Sequence, residues 1–119
     1  MRRGMTMENK ERQRYLLFKI IANGKIEKDR LIQVVWRQLF QLYGETGTSK
    51  TGLWLAEFDE EGNYGILRTN IDALIMVRTT LAIIRKVDEV NCILTSVATS
   101  GTISALKKKH LDKLNTNDR

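Results

Sequence analysis

The chain of 119 residues has a single cysteine, Cys92, and a single histidine, His110. One cysteine excludes an internal disulfide and fits a reducing cytosol. Also missing is any run near the ~20 apolar residues that a membrane span needs. The opening stretch MRRGMTMENKERQR carries bases with no apolar segment behind them, so neither a secretory signal nor a span is expected there. These absences lead to the expectation of a soluble, intracellular, cytoplasmic protein.

Catalytic machinery is equally scarce. His110 falls between Leu106 and Leu114 on the apolar stripe of a basic helix, where a lone histidine is read as packed rather than catalytic. Cys92 alternates with Leu94 in a strand-like run and is read as core. The acidic run Asp59, Glu60 and Glu61 lies in a hairpin tip, and three adjacent carboxylates there point apart instead of converging on a cation. No nucleophile and base pairing emerges, and no metal or cofactor is expected on the protein itself. The stretch GETGTSKTG (44–52) has the flavour of a phosphate-binding loop but carries Ser49 where that motif needs glycine. It also follows a helix and opens a strand, the reverse of the required order.

What the chain does have is enough apolar content, 42%, for one domain with a modest core, and a net charge of +6. The charge is placed unevenly. Residues 1–14 carry Arg2, Arg3, Lys10, Arg12 and Arg14 against Glu8 and Glu11, and residues 100–119 carry Lys107, Lys108, Lys109, Lys113 and Arg119 against Asp112 and Asp118. Residues 15–99 hold ten bases and ten acids, so the whole excess lies at the two ends. Such asymmetry favours a polyanion partner.

The run YLLFKII (15–21), ending in the turn signal NGK, predicts a strand. In the following segment Leu31, Val35, Leu39 and Leu42 fall on one helical stripe, with Ile32, Trp36, Phe40 and Tyr43 beside it, Asp29 as cap and Gly44 as stop. LWLAEF (53–58) and YGILRT (64–69), joined by DEEGN, predict a hairpin. Asn70 is placed to cap a second helix built on Leu74, Val77, Leu81 and Ile84. VNCILTSVAT (90–99) reads as the last strand, and SGTISALKKKHL (100–111) as the last helix. The expected fold class is α/β, an α+β sandwich. Its expected architecture is a ferredoxin-like, RNA-recognition-motif-like βαββαβ antiparallel sheet with an additional C-terminal helix. The expected organisation is a flexible basic segment over 1–13, one domain over 14–114 and a tail over 115–119. In the first strand Leu16, Phe18 and Ile20 face one way and Tyr15, Leu17 and Ile21 the other. Both sheet faces are therefore apolar, and the second should be covered by the third helix, through Ile103, Leu106 and Leu114, or by a partner protein. The third strand, NYGILRTN, lacks the aromatic pair with which an RNA recognition motif stacks bases, so RNA contact through phosphates is expected instead.

RYLLFKI, LWLAEFDEEGNYGILRTN, VRTTLAII and above all SGTISALKKKHL resemble the ribonuclease P protein component 2 family over most of residues 14–111. The resemblance implies a non-catalytic protein subunit of an RNA-based endoribonuclease that removes the 5′ leader from precursor tRNA. It also implies pairing with ribonuclease P protein component 3 and self-association within a heterotetramer. Catalysis, with its Mg²⁺, would belong to the ribonuclease P RNA. A general RNA-binding or ribonucleoprotein-assembly module outside ribonuclease P remains the alternative. The candidate RNA contacts are Arg12, Arg14, Ser100, Gly101, Thr102, Lys107, Lys108, Lys109 and Lys113. The lysines are expected to fan around the last helix, with Lys109 and Lys113 on one stripe.

Overall fold

The computed structural model describes residues 12–59, 61 and 63–111. Residues 1–11 and 112–119, and with them Lys113, Leu114 and most of both expected tails, lie outside the described residues. The described chain runs β1 (Gln13–Ala22), α1 (Lys28–Ser49), β2 (Trp54–Asp59), β3 (Tyr64–Asn70), a 3-10 turn (Ile71–Ala73), α2 (Leu74–Ile83), β4 (Lys86–Val87), β5 (Val90–Ser100) and α3 (Ile103–Leu106). Beyond Leu106 the last helix widens into a π-type turn over Lys107–Leu111. The class is α/β, with a five-stranded sheet ordered β2-β3-β1-β5-β4 and antiparallel at every pairing. The two-residue β4, hairpinned onto β5, is an element that the sequence pattern did not reveal.

One face of the sheet is closed by α1 and α2. Leu16, Phe18 and Ile20 of β1 pack with Leu31, Val35 and Leu39 of α1, Val77 and Leu81 of α2, and Cys92 and Leu94 of β5. The α1 stripe differs from the expected one at its end. It advances in steps of four to the half-buried Tyr43, whereas Leu42 is 42% exposed and Phe40 53%. Gly44 stops the first and longer part of α1, as expected. It breaks the helix with φ 75°, after which one further turn runs to Ser49. A positive φ of that kind suits glycine and strains any residue with a Cβ.

The opposite face is covered by α3, one of the two coverings expected. Leu106, fully buried, sits with Leu17, Tyr64 and Ile66, and Ile103, Tyr15, Ala56 and Ala98 pack around them. This cover is partial, because Ile21 and Ile93, directly opposite in the β1–β5 register, stay 52% and 49% exposed. No helix among the described residues is long and apolar enough to cross a membrane.

Candidate nucleic-acid interface

Strand pairing gathers several of the predicted residues at one end of the sheet, where β1 and β2 begin and β3 and β5 end. Tyr15 is opposite both Ser100 and Arg68, and Arg68 is opposite Trp54. Directly opposed residues of an antiparallel pair project from the same face, so Trp54, Arg68, Tyr15 and Ser100 form one row across four strands. The Arg68 guanidinium lies over the Trp54 ring, 5.9 Å from its centroid, and Trp54 is 58% exposed. Arg68 meets no carboxylate among the described residues, and its Nε is buried without a hydrogen-bond partner. A guanidinium held by an indole face rather than by an acid keeps its charge uncompensated.

On the α1 and α2 side of the same end, Arg12 and Lys50 line one cleft with Asn70 and Asp72. Arg12 is ion-paired with Asp72, and its carbonyl accepts from the Ile71 amide, which ties the start of β1 to the turn before α2. Arg14 donates to the Gln13 carbonyl at 2.8 Å. Strand alternation puts Arg14 on the side of Leu16 and Phe18, away from α3.

The loop that imitated a phosphate site has a structural role. Fully buried Thr51 donates to the Thr48 carbonyl at 2.8 Å and accepts from the Leu53 amide at 3.2 Å. The Thr51 carbonyl receives both the Thr69 hydroxyl and the Asn70 amide at 2.8 Å. The Asn70 side chain donates to the Lys50 carbonyl at 2.8 Å and makes no cap hydrogen bond, contrary to the expected helix cap. These bonds clamp the α1–β2 turn onto the end of β3, which fixes where Trp54 enters the sheet.

Ser100, Gly101 and Thr102 make the strand-to-helix junction. The Thr102 hydroxyl accepts from the Ala105 amide at 3.1 Å, and the Ser100 hydroxyl accepts from the Thr102 amide at 3.3 Å. This is an N-cap, one of the two roles open to the segment. Thr102→Ala is expected to cost about 1 kcal/mol, seen as a lower urea midpoint. Thr102→Ser, which keeps the acceptor, should stay near the parent value.

The lysine run divides. Lys107 Nζ is 2.8 Å from Glu57 Oε2, and the Tyr64 hydroxyl donates to the same oxygen at 2.9 Å, so Lys107 straps α3 to β2 and β3. Lys108 and Lys109 are exposed and meet no acid among the described residues. Because the turn is π-type, with bonds reaching five residues ahead, the angular spacing of an ideal α-helix does not apply to these lysines. His110 is half-buried, and Cys92 is buried in the core with its thiol pushed up by desolvation.

Burial, together with the bond to Glu57, raises the Tyr64 phenol to about 12. A raised folded-state value means that this group's stabilising effect is whole below the unfolded value of about 10. It is lost as pH climbs from there through about 12. Stability followed by urea melts is expected to fall across that window, and Tyr64→Phe should flatten the fall. An equal alkaline loss in both proteins would contradict the assignment.

Comparison with known proteins adds independent findings. The model of the Rpp14/Pop5 family matches residues 14–111. Ribonuclease P protein component 2 of Pyrococcus horikoshii is 32% identical over 104 residues, 87% of each chain. The protein of the same name from Archaeoglobus fulgidus is 34% identical over 110 residues, covering 92% of this chain and 98% of the relative. Among solved structures, a chain of the cryo-EM structure of yeast ribonuclease MRP superposes with a TM-score of 0.63 at 12% identity. That match covers 91% of this chain and 92% of the other, and it speaks for a shared fold.

Proposed function

Since this chain belongs to the Rpp14/Pop5 family, we propose that it works as a non-catalytic protein subunit of ribonuclease P, supporting the catalytic RNA in removing the 5′ leader from precursor tRNA. The observation that carries this is the match over residues 14–111, which spans the whole sheet, its three helices and the basic end. The RNA supplies the chemistry with its Mg²⁺, and the protein supplies position and charge. Cations at the sheet end and on the last helix neutralise phosphates and release counterions, a gain that depends on salt and little on sequence. The sheet is read as ferredoxin-like, related to the RNA recognition motif, with β4 appended at its edge.

Ribonuclease P protein component 3 is the proposed protein partner, with self-association in a heterotetramer and work in the cytoplasm. The uncovered apolar pair Ile21 and Ile93 supports a protein-facing surface on that part of the sheet. Reconstitution tests the assignment. With ribonuclease P RNA and component 3, adding the chain is expected to raise precursor tRNA cleavage, and the chain alone is expected to cleave nothing. Cleavage by the protein without RNA would overturn the non-catalytic role. Binding to many RNAs alike with no stimulation would point to an RNA-binding module outside ribonuclease P.

A further inference from the structure

The row across the sheet end holds more than phosphate-neutralising charge. Trp54 opens β2, which is an edge strand, so its indole stands at the rim of the sheet with 58% of the residue exposed. Arg68 lies over this ring, and Tyr15 follows directly opposite Arg68. A large aromatic left in water beside an uncompensated planar cation makes a poor core and a good stacking surface. Every nucleobase has a π-face, and stacking on an aromatic needs no particular base. The positive charge of Arg68 favours a polyanion over a neutral apolar partner.

We propose that Trp54, backed by Arg68, is a stacking platform for one unpaired nucleobase of a bound RNA. This rests on the RNA-binding reading above and adds a contact of a different kind, to a base rather than to a phosphate. The platform is assembled from β2 and β3 across the strand register, so it does not require the aromatic pair that the third strand lacks. Arg68 acts as a positioning residue, its guanidinium holding the indole between cation and base.

The test uses the full chain and two RNA probes, a short uridine-rich single strand with one 2-aminopurine and a duplex of the same length. Affinity is read by anisotropy and stacking by quenching of the 2-aminopurine. The parent protein is expected to bind the single strand and quench the probe. Trp54→Ala should bind it roughly tenfold more weakly without quenching, while duplex affinity and the salt slope stay unchanged because no phosphate contact is removed. Trp54→Phe should keep part of the quenching. Arg68→Lys, which keeps charge but loses the plane, should bind the single strand more weakly at the same salt slope. Both Trp54 variants are expected to fold, since the side chain is mostly exposed. Parent protein that binds the single strand with no quenching, or a Trp54→Ala protein that binds and quenches as the parent does, overturns the platform while leaving the RNA-binding reading intact. In that case Trp54 belongs to a protein-facing groove, which it lines with Ile32 and Trp36. Failure of the parent protein to bind either RNA overturns the RNA-binding reading and the platform together.

Discussion

Phe18→Ala is expected to cost about 3–5 kcal/mol, a large share of the roughly 5–15 kcal/mol that holds a domain of this kind together. Phe18 is wholly buried and lies directly opposite Gly65 in the β1–β3 pair. A Cβ on Gly65 would stand 2.5 Å from Phe18 Cζ and 2.8 Å from Cε1. The ring therefore occupies the space of the missing side chain and covers backbone that glycine leaves bare. Gly65→Ala must push against a ring that is packed on all sides, and overpacking of this kind costs about 1–3 kcal/mol. The two positions should be strongly coupled. Shrinking the ring with Phe18→Leu makes room for the alanine, so the double variant is expected to be more stable than the two single costs imply. Urea denaturation of the four proteins gives the cycle, and simple additivity would show that ring and glycine do not share that space.

Most of the fold was legible because its signals are local. Runs of β-formers bounded by turn signals pointed to β1, β2, β3 and β5, and the 3.6-residue stripes of Val35 and Leu39 and of Val77 and Leu81 pointed to the two longer helices. Apolar residues on both sides of β1 correctly implied a second cover, which Ile103 and Leu106 provide. What stayed hidden depends on partners far along the chain. Asn70 looks like a cap, but its amide is spent on Lys50, twenty residues earlier. The site end was harder still. Counting back from the β2–β3 turn pairs Asp59 with Tyr64 and Glu57 with Ile66, and would then set Leu55 against Arg68. The bulge between Leu55 and Glu57 shifts the register by one, so that Trp54 meets Arg68. One inserted residue moves side chains to the other face, and no local pattern in LWLAEF announces it. Arg68, Trp54 and Lys50 lie in the charge-neutral body of the chain, away from the basic ends, and only strand pairing brings Trp54 and Arg68 together.

The lysine run shows the same division between what composition tells and what geometry decides. Lys107, Lys108 and Lys109 are equivalent as letters, yet only Lys107 has Glu57 within reach. Lys108→Ala with Lys109→Ala removes two exposed charges and no ion pair among the described residues. If each neutralises one phosphate, the log–log salt slope for RNA binding should fall by about 1.4 to 1.8 units. Adding Lys113→Ala, at a position outside the described residues, is expected to remove a little under one unit more. Affinity should drop for all RNA sequences alike, with the urea midpoint unchanged. Lys107→Ala is expected to behave in the opposite way. Its loss frees one end of α3 and lowers the urea midpoint modestly, because a solvent-accessible pair such as this, 42% and 28% exposed, is worth about 0.2–1 kcal/mol, while the salt slope barely moves. Slopes measured by anisotropy over a salt series separate the two roles. An unchanged slope in the Lys108→Ala, Lys109→Ala protein would mean that the run is a solvated face, and a slope lost on Lys107→Ala would mean that the Glu57 pair opens to hold RNA.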